Sequence, residues 1–164
     1  MGAFETTLIV ATLLCSLVAG FVLSFAVVVM PGLRYFDDRS FLRAFKLIDG
    51  VIQNNQPVFM LVWVGSVFSL VIASLLSLWH LQGTDRFLLL VATAAYLVGV
   101  QVSTFTINVP LNNQLQAMDL EGATDMEIET ARSSFEPRWN RWNTIRTAVA
   151  TLVSLVLLML LFRL

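Results

Sequence analysis

The chain alternates between long apolar runs without charge and short polar segments. Charged side chains are absent from residues 6–33, 50–84, 87–118 and 147–162. The first three runs exceed the ~20 residues that an α-helix needs to cross the hydrocarbon core of a bilayer. The pattern predicts four membrane-spanning helices, at about residues 6–30, 57–81, 87–108 and 144–162.

The fourth apolar run is shorter than the others, and its helix is predicted to begin earlier, at Pro137. Proline suits the first turn of a helix, and Glu136 places an acid beside the positive helix end. A helix over 137–162 would be roughly 39 Å long, which exceeds the ~30 Å hydrocarbon core. Its first two turns are therefore expected at or just beyond the membrane surface, at the end of a cytoplasmic segment of about 110–140.

Residues 36–55, between the first two spans, have the pattern of an amphipathic helix. Three basic side chains share one face and four apolar ones lie almost opposite: Arg39, Arg43 and Lys46 against Phe41, Phe45, Ile48 and Ile52. Such a helix lies in the headgroup plane with its basic side toward anionic lipid. We therefore expect an interfacial helix here, with membrane lipid as a partner.

The composition agrees with an integral membrane protein. Hydrophobic residues make up 57% of the 164 and charged residues 13%, against roughly 25% charged in a soluble domain. A net charge of −1 without a basic tract gives no indication of nucleic-acid binding. One cysteine and one histidine argue against a zinc, haem or copper site that needs two or more such ligands, so no metal is expected. The predicted fold class is all-α: one membrane domain of residues 1–164, an integral membrane four-helix bundle with the additional interfacial helix.

Basic residues predict the orientation of the spans. The segments after the first and third spans carry eight of them: Arg34, Arg39, Arg43, Lys46, Arg132, Arg138, Arg141 and Arg146. The opposite side has Arg86 and Arg163 together with the amino terminus. Lys and Arg accumulate in cytoplasmic loops. We expect a multi-pass protein with both termini outside, in periplasm or lumen, and with cytoplasmic long loops.

Small residues recur every four positions in the first three spans. The rows are Ser16, Gly20 and Ser24; Gly65, Ser69, Ala73 and Ser77; and Ala95, Gly99 and Ser103. Such rows let helix backbones approach closely. They favour packing within one bundle, and an interface between copies in a homo-oligomer is the alternative.

Polar side chains accumulate at the predicted cytoplasmic end of the third span. Gln101, Thr104 and Asn108 share one face at helical spacing. Polar groups within a membrane normally face the bundle interior, because hydrocarbon leaves their hydrogen bonds unmade. Pro110 is expected to interrupt the helical hydrogen-bond ladder between Asn108 and Asn112.

Two further helix breaks fall on the same side. Met30-Pro31-Gly32 is expected to stop the first span, and Pro57 to start the second after a polar stretch that includes Asp49 and Gln53. In one interpretation the asparagines of these breaks cap helix ends. In the other, amide donors line the mouth of a pocket.

The stretch "RWNRWNTIR", residues 138–146, admits two interpretations as well. Trp139, Trp142, Asn143 and Arg146 fall within about 100° of each other on a helical wheel. As a membrane-interface anchor, the tryptophans lie at headgroup level and the arginines reach phosphates. As a site wall, the shared face points inward. The inward interpretation is favoured, because an anchor does not require the asparagine and the deepest arginine to share the tryptophans' face.

Four stretches in this order among four spans resemble the anthrone-oxygenase-like family of small four-span membrane proteins: "AGFVLSFAVVVMPGL", "IDGVIQNNQPVF", "NVPLNNQL" and "RWNRWNTIR". The resemblance covers nearly the whole chain. It implies cofactor-independent oxygenation of an apolar polycyclic aromatic or polyketide-type substrate, since fungal members of the family oxidise anthrones to anthraquinones without metal or flavin. Most bacterial members have no established activity.

The chemistry that the resemblance implies assigns roles to the polar residues. Asp49 is the candidate base, and Arg146 and Asn108 are candidate donors to the oxyanion of a deprotonated substrate. The candidate substrate-binding residues are Asn112, Asn143, Trp139, Trp142, Gln53 and Gln101. No cofactor is expected.

Other classes of function stay open beside the oxygenase. A four-helix protein without enzymatic activity could bind a lipid, a quinone or another small hydrophobic ligand, or support a partner complex. A transporter is the least favoured class, because four spans without a repeat or a buried charge pair make a poor carrier.

Overall fold

The computed structural model describes residues 2–164, and these form five helices joined by short connections. The helices are α1, Ala3–Leu33; α2, Asp38–Gln53; α3, Pro57–His80; α4, Gly83–Ala117; and α5, Asp125–Leu161. All except α2 are long and apolar enough to cross a membrane. They pack into one bundle, so the all-α fold class predicted from the sequence is confirmed.

The two ends of the bundle differ in what they carry. α1 packs along α3 and α5, and α4 packs along α5. Near one end the Phe4 ring stacks on His80 at 5.3 Å, and Arg163 pairs with Asp85 at 2.5 Å, so both chain ends lie beside the α3–α4 turn. α2 lies at the opposite end, against α5 and the end of α4. We call these two ends the terminal side and the α2 side.

The fourth span begins earlier than its apolar run predicts. α5 starts at Asp125 and runs for 37 residues, roughly 55 Å at 1.5 Å per residue. Thr124 and Glu127 form a capping box, in which the Glu127 side chain accepts from the Thr124 backbone N–H at 2.8 Å. The predicted start at Pro137 is therefore wrong, because a capping box satisfies free N–H groups that a proline start leaves open.

Pro31 and Pro110 both lie inside continuous helices. α4 runs through Pro110 to Ala117, and α1 runs through Pro31 to Leu33. Each is preceded by π-helical backbone, at Thr104–Asn108 in α4 and at Phe25–Val29 in α1. A proline removes one donor of the i→i−4 ladder. A π-turn changes the register of that ladder without ending the helix. The interruption at Pro110 is therefore a local distortion within α4, whereas α1 ends at Leu33, directly after the predicted stop at Met30-Pro31-Gly32.

The apolar face of α2 is part of the bundle core. Phe41 and Phe45 are buried, and the Phe45 ring lies 4.7 Å from that of Phe135 on α5. Asp37 caps the start of α2 by accepting from the Ser40 N–H at 3.0 Å. That backbone hydrogen bond holds the pKa of the Asp37 carboxyl below its ordinary value.

The basic side chains of α2 form hydrogen bonds to the connection between α4 and α5. Arg39 donates to the Ala123 carbonyl at 2.9 Å and to Asp125 at 3.0 Å. Lys46 donates to the Met118 carbonyl at 2.6 Å. The connection between α4 and α5 therefore contacts part of the face that the sequence assigned to anionic lipid, and membrane lipid as a partner of α2 stays a prediction. The interfacial position of α2 itself stays a prediction.

The rows of small residues divide between the inside and the outside of the bundle. A Cβ atom at Gly65 would lie 3.0 Å from Leu14 of α1, and one at Gly99 would lie 2.9 Å from Val149 of α5. At Gly20 it would meet nothing within 4 Å. Close packing within one bundle accounts for the rows in α3 and α4, as the sequence favoured, and leaves Gly20 of α1 on an open surface.

Candidate functional site

A cavity of about 310 Å³ lies on the α2 side of the bundle and receives side chains from all five helices of residues 2–164. Its wall is largely aromatic, with Phe21, Phe25, Phe45, Phe59, Trp63, Phe105 and Trp139. Polar atoms reach it from Asp49, Asn108, Asn112, Asn143 and Arg146. The cavity thus has the mixture that small-molecule sites show, an apolar wall with a few convergent polar groups.

Arg146 is a buried cation on this wall, with 5% of its surface exposed. Its guanidinium donates to Thr104 Oγ1 and to Asn143 Oδ1, each at 2.9 Å, and lies 5.7 Å from the ring centre of Trp139. Within residues 2–164 no carboxylate forms an ion pair with it, and its Nε atom has no hydrogen-bond partner. The charge is therefore solvated by neutral groups, and the unpaired Nε atom is itself fully buried.

The spacing of α5 brings Arg146 to the same side as two other residues of the stretch 138–146. Trp139, Asn143 and Arg146 are all buried, and positions separated by four and three residues lie on one helical face. Asn143 also donates to the Val22 carbonyl at 3.0 Å, next to the π-helical stretch of α1. These three side chains point inward and line the cavity, as the site-wall interpretation of this face expects.

Trp142 lies apart from the other three. It is partly exposed and does not line the cavity, whereas Trp139 does. An arc of about 100° on a helix is wider than the strip that faces the cavity, so residues at its edge point elsewhere. The structure therefore does not bring Trp142 to the cavity.

Asp49 is a buried carboxylate at the α2 end of the cavity, with 4% of its surface exposed. Asn112 donates to its Oδ1 at 2.7 Å, and Gln53 and Gln116 each donate to its Oδ2 at 2.8 Å. A carboxylate offers about four acceptor positions. Oδ1, with one donor against two for Oδ2, keeps the larger free capacity to accept.

Asn112 links this carboxylate to the aromatic wall. Its amide N–H₂ donates to Asp49, and its carbonyl oxygen accepts from Trp139 Nε1 at 2.9 Å. Both hydrogen-bonding sides of the amide are thereby used. Asn112 fixes the positions of the carboxylate and the indole relative to each other.

Asn108 is buried between α4 and α5. Its amide nitrogen makes a long hydrogen bond of 3.4 Å to the Trp139 carbonyl, and its Oδ1 has no partner. Buried polar atoms are normally paired, so this buried and unpaired acceptor is an exception among the polar side chains around the cavity.

Gln101 does not line the cavity. Its Oε1 accepts from Trp63 Nε1 at 2.9 Å, so it lies behind that tryptophan and orients it. Gln53, by contrast, lines the cavity edge beside Asp49. Of the sequence-predicted site residues, the structure gathers all at the cavity except Gln101 and Trp142.

The sequence did not single out Trp63 and Phe59, which form part of the wall on α3. Their rings stack at 5.3 Å with 27° between planes. Both lie in a continuous apolar span, where a lipid-facing aromatic and a cavity-facing one look alike. The amide at Gln101 was the available signal, because a buried amide needs a partner and an indole N–H is a suitable one.

Metal-binding clusters are a separate question. The described residues 2–164 contain no group of three or more His, Cys, Asp or Glu side chains arranged to hold a metal ion.

Comparison with known proteins gives one family match. A sequence model described as anthrone oxygenase matches residues 54–156, more than half of the chain. The matched region includes the cavity residues of α3, α4 and α5 and excludes Asp49 and Gln53. No curated protein and no solved structure gives a significant match.

Proposed function

The chain belongs to the anthrone oxygenase family, and on that premise we propose that its cavity binds a flat polycyclic aromatic substrate and oxygenates it with O2. The substrate class is an anthrone-like ring system with a carbonyl and an acidic methylene on opposite sides of its central ring. The observation that carries the proposal is the buried guanidinium of Arg146, which lines an aromatic cavity and has neutral hydrogen-bond partners.

Asp49 and Arg146 stand at two ends of the cavity. Asp49 contacts Asn112 and Arg146 contacts Thr104, which are eight residues apart on α4, or roughly 12 Å along the axis. The two groups therefore reach the cavity at different levels of α4, so a ring system that lies along the cavity can contact both.

The reaction begins with a proton transfer. Asp49 Oδ1 takes one proton from the methylene carbon, and the electron pair moves through the ring to the carbonyl oxygen. Arg146 stabilises the resulting oxyanion by donating hydrogen bonds to it in a site from which water is largely excluded. Asn143 and Thr104 hold the guanidinium in place by each accepting from one terminal nitrogen, and each of these nitrogens carries a second hydrogen that can be donated to the oxyanion.

Dioxygen is the oxidant. The ring anion transfers an electron to O2, and recombination forms a carbon–oxygen bond and, after protonation, a hydroperoxide. Loss of the remaining methylene hydrogen as a proton and cleavage of the O–O bond give the second carbonyl and water. One O2 is consumed for each substrate, with one oxygen atom in the quinone and one in water.

The aromatic wall holds the ring system. Trp139 and Trp63 are each oriented by an amide oxygen, from Asn112 and Gln101 at 2.9 Å. Indoles fixed in this way offer ring surfaces for stacking without further loss of side-chain freedom.

The test is oxidation of anthrone by the protein in lipid vesicles, followed by anthraquinone absorbance and O2 uptake and compared with empty vesicles. Arg146→Met is expected to lower kcat/KM by about 10²–10³-fold, the effect of removing one oxyanion donor. Asp49→Asn is expected to lower it by at least about 10²-fold. Arg141→Met, on the exposed face of α5, is the matched control and is expected to change it less than twofold.

Two results contradict the proposal. One is a wild-type protein that does not accelerate oxidation over empty vesicles. The other is full turnover in both Arg146→Met and Asn108→Ala. A protein that binds anthraquinone but never turns anthrone over would instead be the non-enzymatic carrier of a hydrophobic ligand.

A further inference from the structure

α3 and α4 separate on the α2 side of the bundle. α3 packs against the first part of α4, Gly83–Tyr96, and makes few contacts with the later part. Helices that are connected by a short turn usually stay neighbours along their length. Here the two diverge beside the cavity, so the cavity wall is thin in this direction.

Four apolar side chains border the gap and line the cavity at the same time. They are Met60 and Val64 on α3, and Phe105 and Val109 on α4. Met60 is 37% exposed, Val64 40% and Phe105 64%, and Val109 is partly buried. Side chains that touch both the cavity and the outer surface mark an opening between the two.

Two hydrogen bonds delimit the gap along the bundle axis. Trp63 Nε1 donates to Gln101 Oε1 at 2.9 Å at one end, and Gln53 Nε2 donates to Asn113 Oδ1 at 3.2 Å at the other. Gln101 and Asn113 are twelve residues apart on α4, or roughly 18 Å. The amide contact at Asn113 lies between the cavity and the aqueous end of the bundle, so the gap faces sideways.

The depth of the gap places it beside lipid chains. Trp79 is 77% exposed and lies at the end of α3 on the terminal side. Tryptophan is enriched at membrane–water interfaces, so we place Trp79 at the interface on that side. Val64 and Met60 lie about 22 and 28 Å from it along the helix. Since the hydrocarbon core is ~30 Å thick, the gap lies in the half of the bilayer on the α2 side.

We propose that this gap is a lateral entrance, through which the substrate passes from the acyl-chain region of the α2-side leaflet into the cavity. The identity of that substrate, a flat apolar ring system, rests on the function proposed above. The entrance itself rests on the separation of α3 and α4. Met60, Val64, Phe105 and Val109 set its width and thereby the thickness of molecule that enters.

The test uses the cavity tryptophans as reporters. Trp79→Phe and Trp142→Phe remove the two tryptophans that do not line the cavity, which leaves Trp63 and Trp139. The parent protein, in vesicles, is mixed with vesicles that carry either 9,10-anthraquinone or lipids brominated in mid-chain, and the quenching of tryptophan fluorescence is followed in time. Both probes quench an indole at close range.

Val64→Phe with Val109→Phe narrows the entrance. We expect quenching at least tenfold slower with anthraquinone and a lower quenching amplitude with the brominated lipid. Val58→Phe with Val102→Phe adds the same atoms to the same helices at exposed positions off the cavity, and its quenching rate is expected within twofold of the parent's. Far-UV circular dichroism verifies that all variants keep their helices.

Equal quenching of the narrowed and control variants by both probes overturns the entrance. A parent protein that neither probe quenches overturns it too, because then nothing in the bilayer reaches the cavity. Arg146→Met separates this proposal from the proposed function. If Arg146→Met oxidises anthrone slowly but is quenched at the parent's rate, both proposals are supported. If Arg146→Met oxidises anthrone at the parent's rate while the narrowed variant is quenched slowly, only the entrance is supported.

Discussion

Helix packing alone gives no reason for a charged side chain at position 146. Burial of a cation without a carboxylate partner carries a desolvation cost of several kcal/mol, and here its contacts are a hydroxyl, an amide and an indole ring. A hydrophobic residue of the same size would pack without that cost. Retention of the charge beside a cavity is typical of a residue whose partner arrives with a ligand.

We expect Asn112 to contribute both to the free energy of unfolding and to the arrangement of the site. Asn112→Leu keeps the size of the side chain but leaves the Trp139 N–H unpaired and takes one donor from Asp49. Loss of a partner for a buried polar group costs about 1–3 kcal/mol, so we expect the free energy of unfolding in mixed micelles to fall by about 2 kcal/mol.

The neighbouring Gln114 supplies the control for this substitution. It is exposed, and Gln114→Leu is expected to change the free energy of unfolding by less than about 0.5 kcal/mol. A loss that is equal in the two variants would show that the Asp49–Asn112–Trp139 contacts do not stabilise the protein.

Among the helices, α4 determines which polar groups reach the cavity. Its π-helical stretches at Leu97–Val102 and Thr104–Asn108 each add residues to a turn. One added residue rotates everything after it by about 100°. Gln101 consequently points to Trp63 while Thr104 and Asn108 point to α5, although helical spacing placed the three on one face.

A substitution at Gly99 tests how closely α4 must approach α5. A Cβ there would come within 2.9 Å of Val149 Cγ1, one turn from Arg146. We expect Gly99→Ala to lower the free energy of unfolding by about 1–3 kcal/mol, the usual effect of overpacking, as measured by unfolding in mixed micelles.

Gly20→Ala is the matched control, because a Cβ at Gly20 meets nothing within 4 Å. It is expected to be neutral or slightly stabilising, since alanine has the higher helix propensity. If Gly20→Ala is instead the more harmful change, an interface between copies at the exposed row of α1 becomes the better explanation of that row.

At the scale of the whole molecule, four spans bring both termini to one side of the membrane. The contacts Phe4–His80 and Arg163–Asp85 agree with this arrangement. The side on which they lie is still a prediction of the basic residues, which cluster at the α2 side. That prediction makes the α2-side leaflet the cytoplasmic one.

Cysteine labelling on intact cells tests the orientation. In a Cys15→Ala background, single cysteines at Gly2 and Arg163 are expected to react with a membrane-impermeant maleimide. A cysteine at the exposed Glu129, on the α2 side, is expected to react after permeabilisation. Protection at both Gly2 and Arg163 would reverse the orientation and place the cavity in the outer leaflet.

The sequence alone was enough to predict the membrane class, the number of spans and the side on which polar groups accumulate. These follow from hydrophobicity, which acts on each residue independently of its neighbours in space. It also identified Arg146, Asn108, Asn112 and Asp49 as residues of one end of the bundle, since a polar side chain in hydrocarbon is costly wherever the helices pack.

Tertiary structure decided which of these groups meet. The π-helical register of α4, the early start of α5 and the docking of α2 on the α4–α5 connection depend on contacts between residues far apart in sequence, such as Lys46 with Met118. The gap between α3 and α4, with Trp63 on the cavity wall, depends on how those helices diverge. Periodicity along one helix contains no information on the angle at which its neighbour crosses it, so the cavity and its side entrance were visible only in the folded chain.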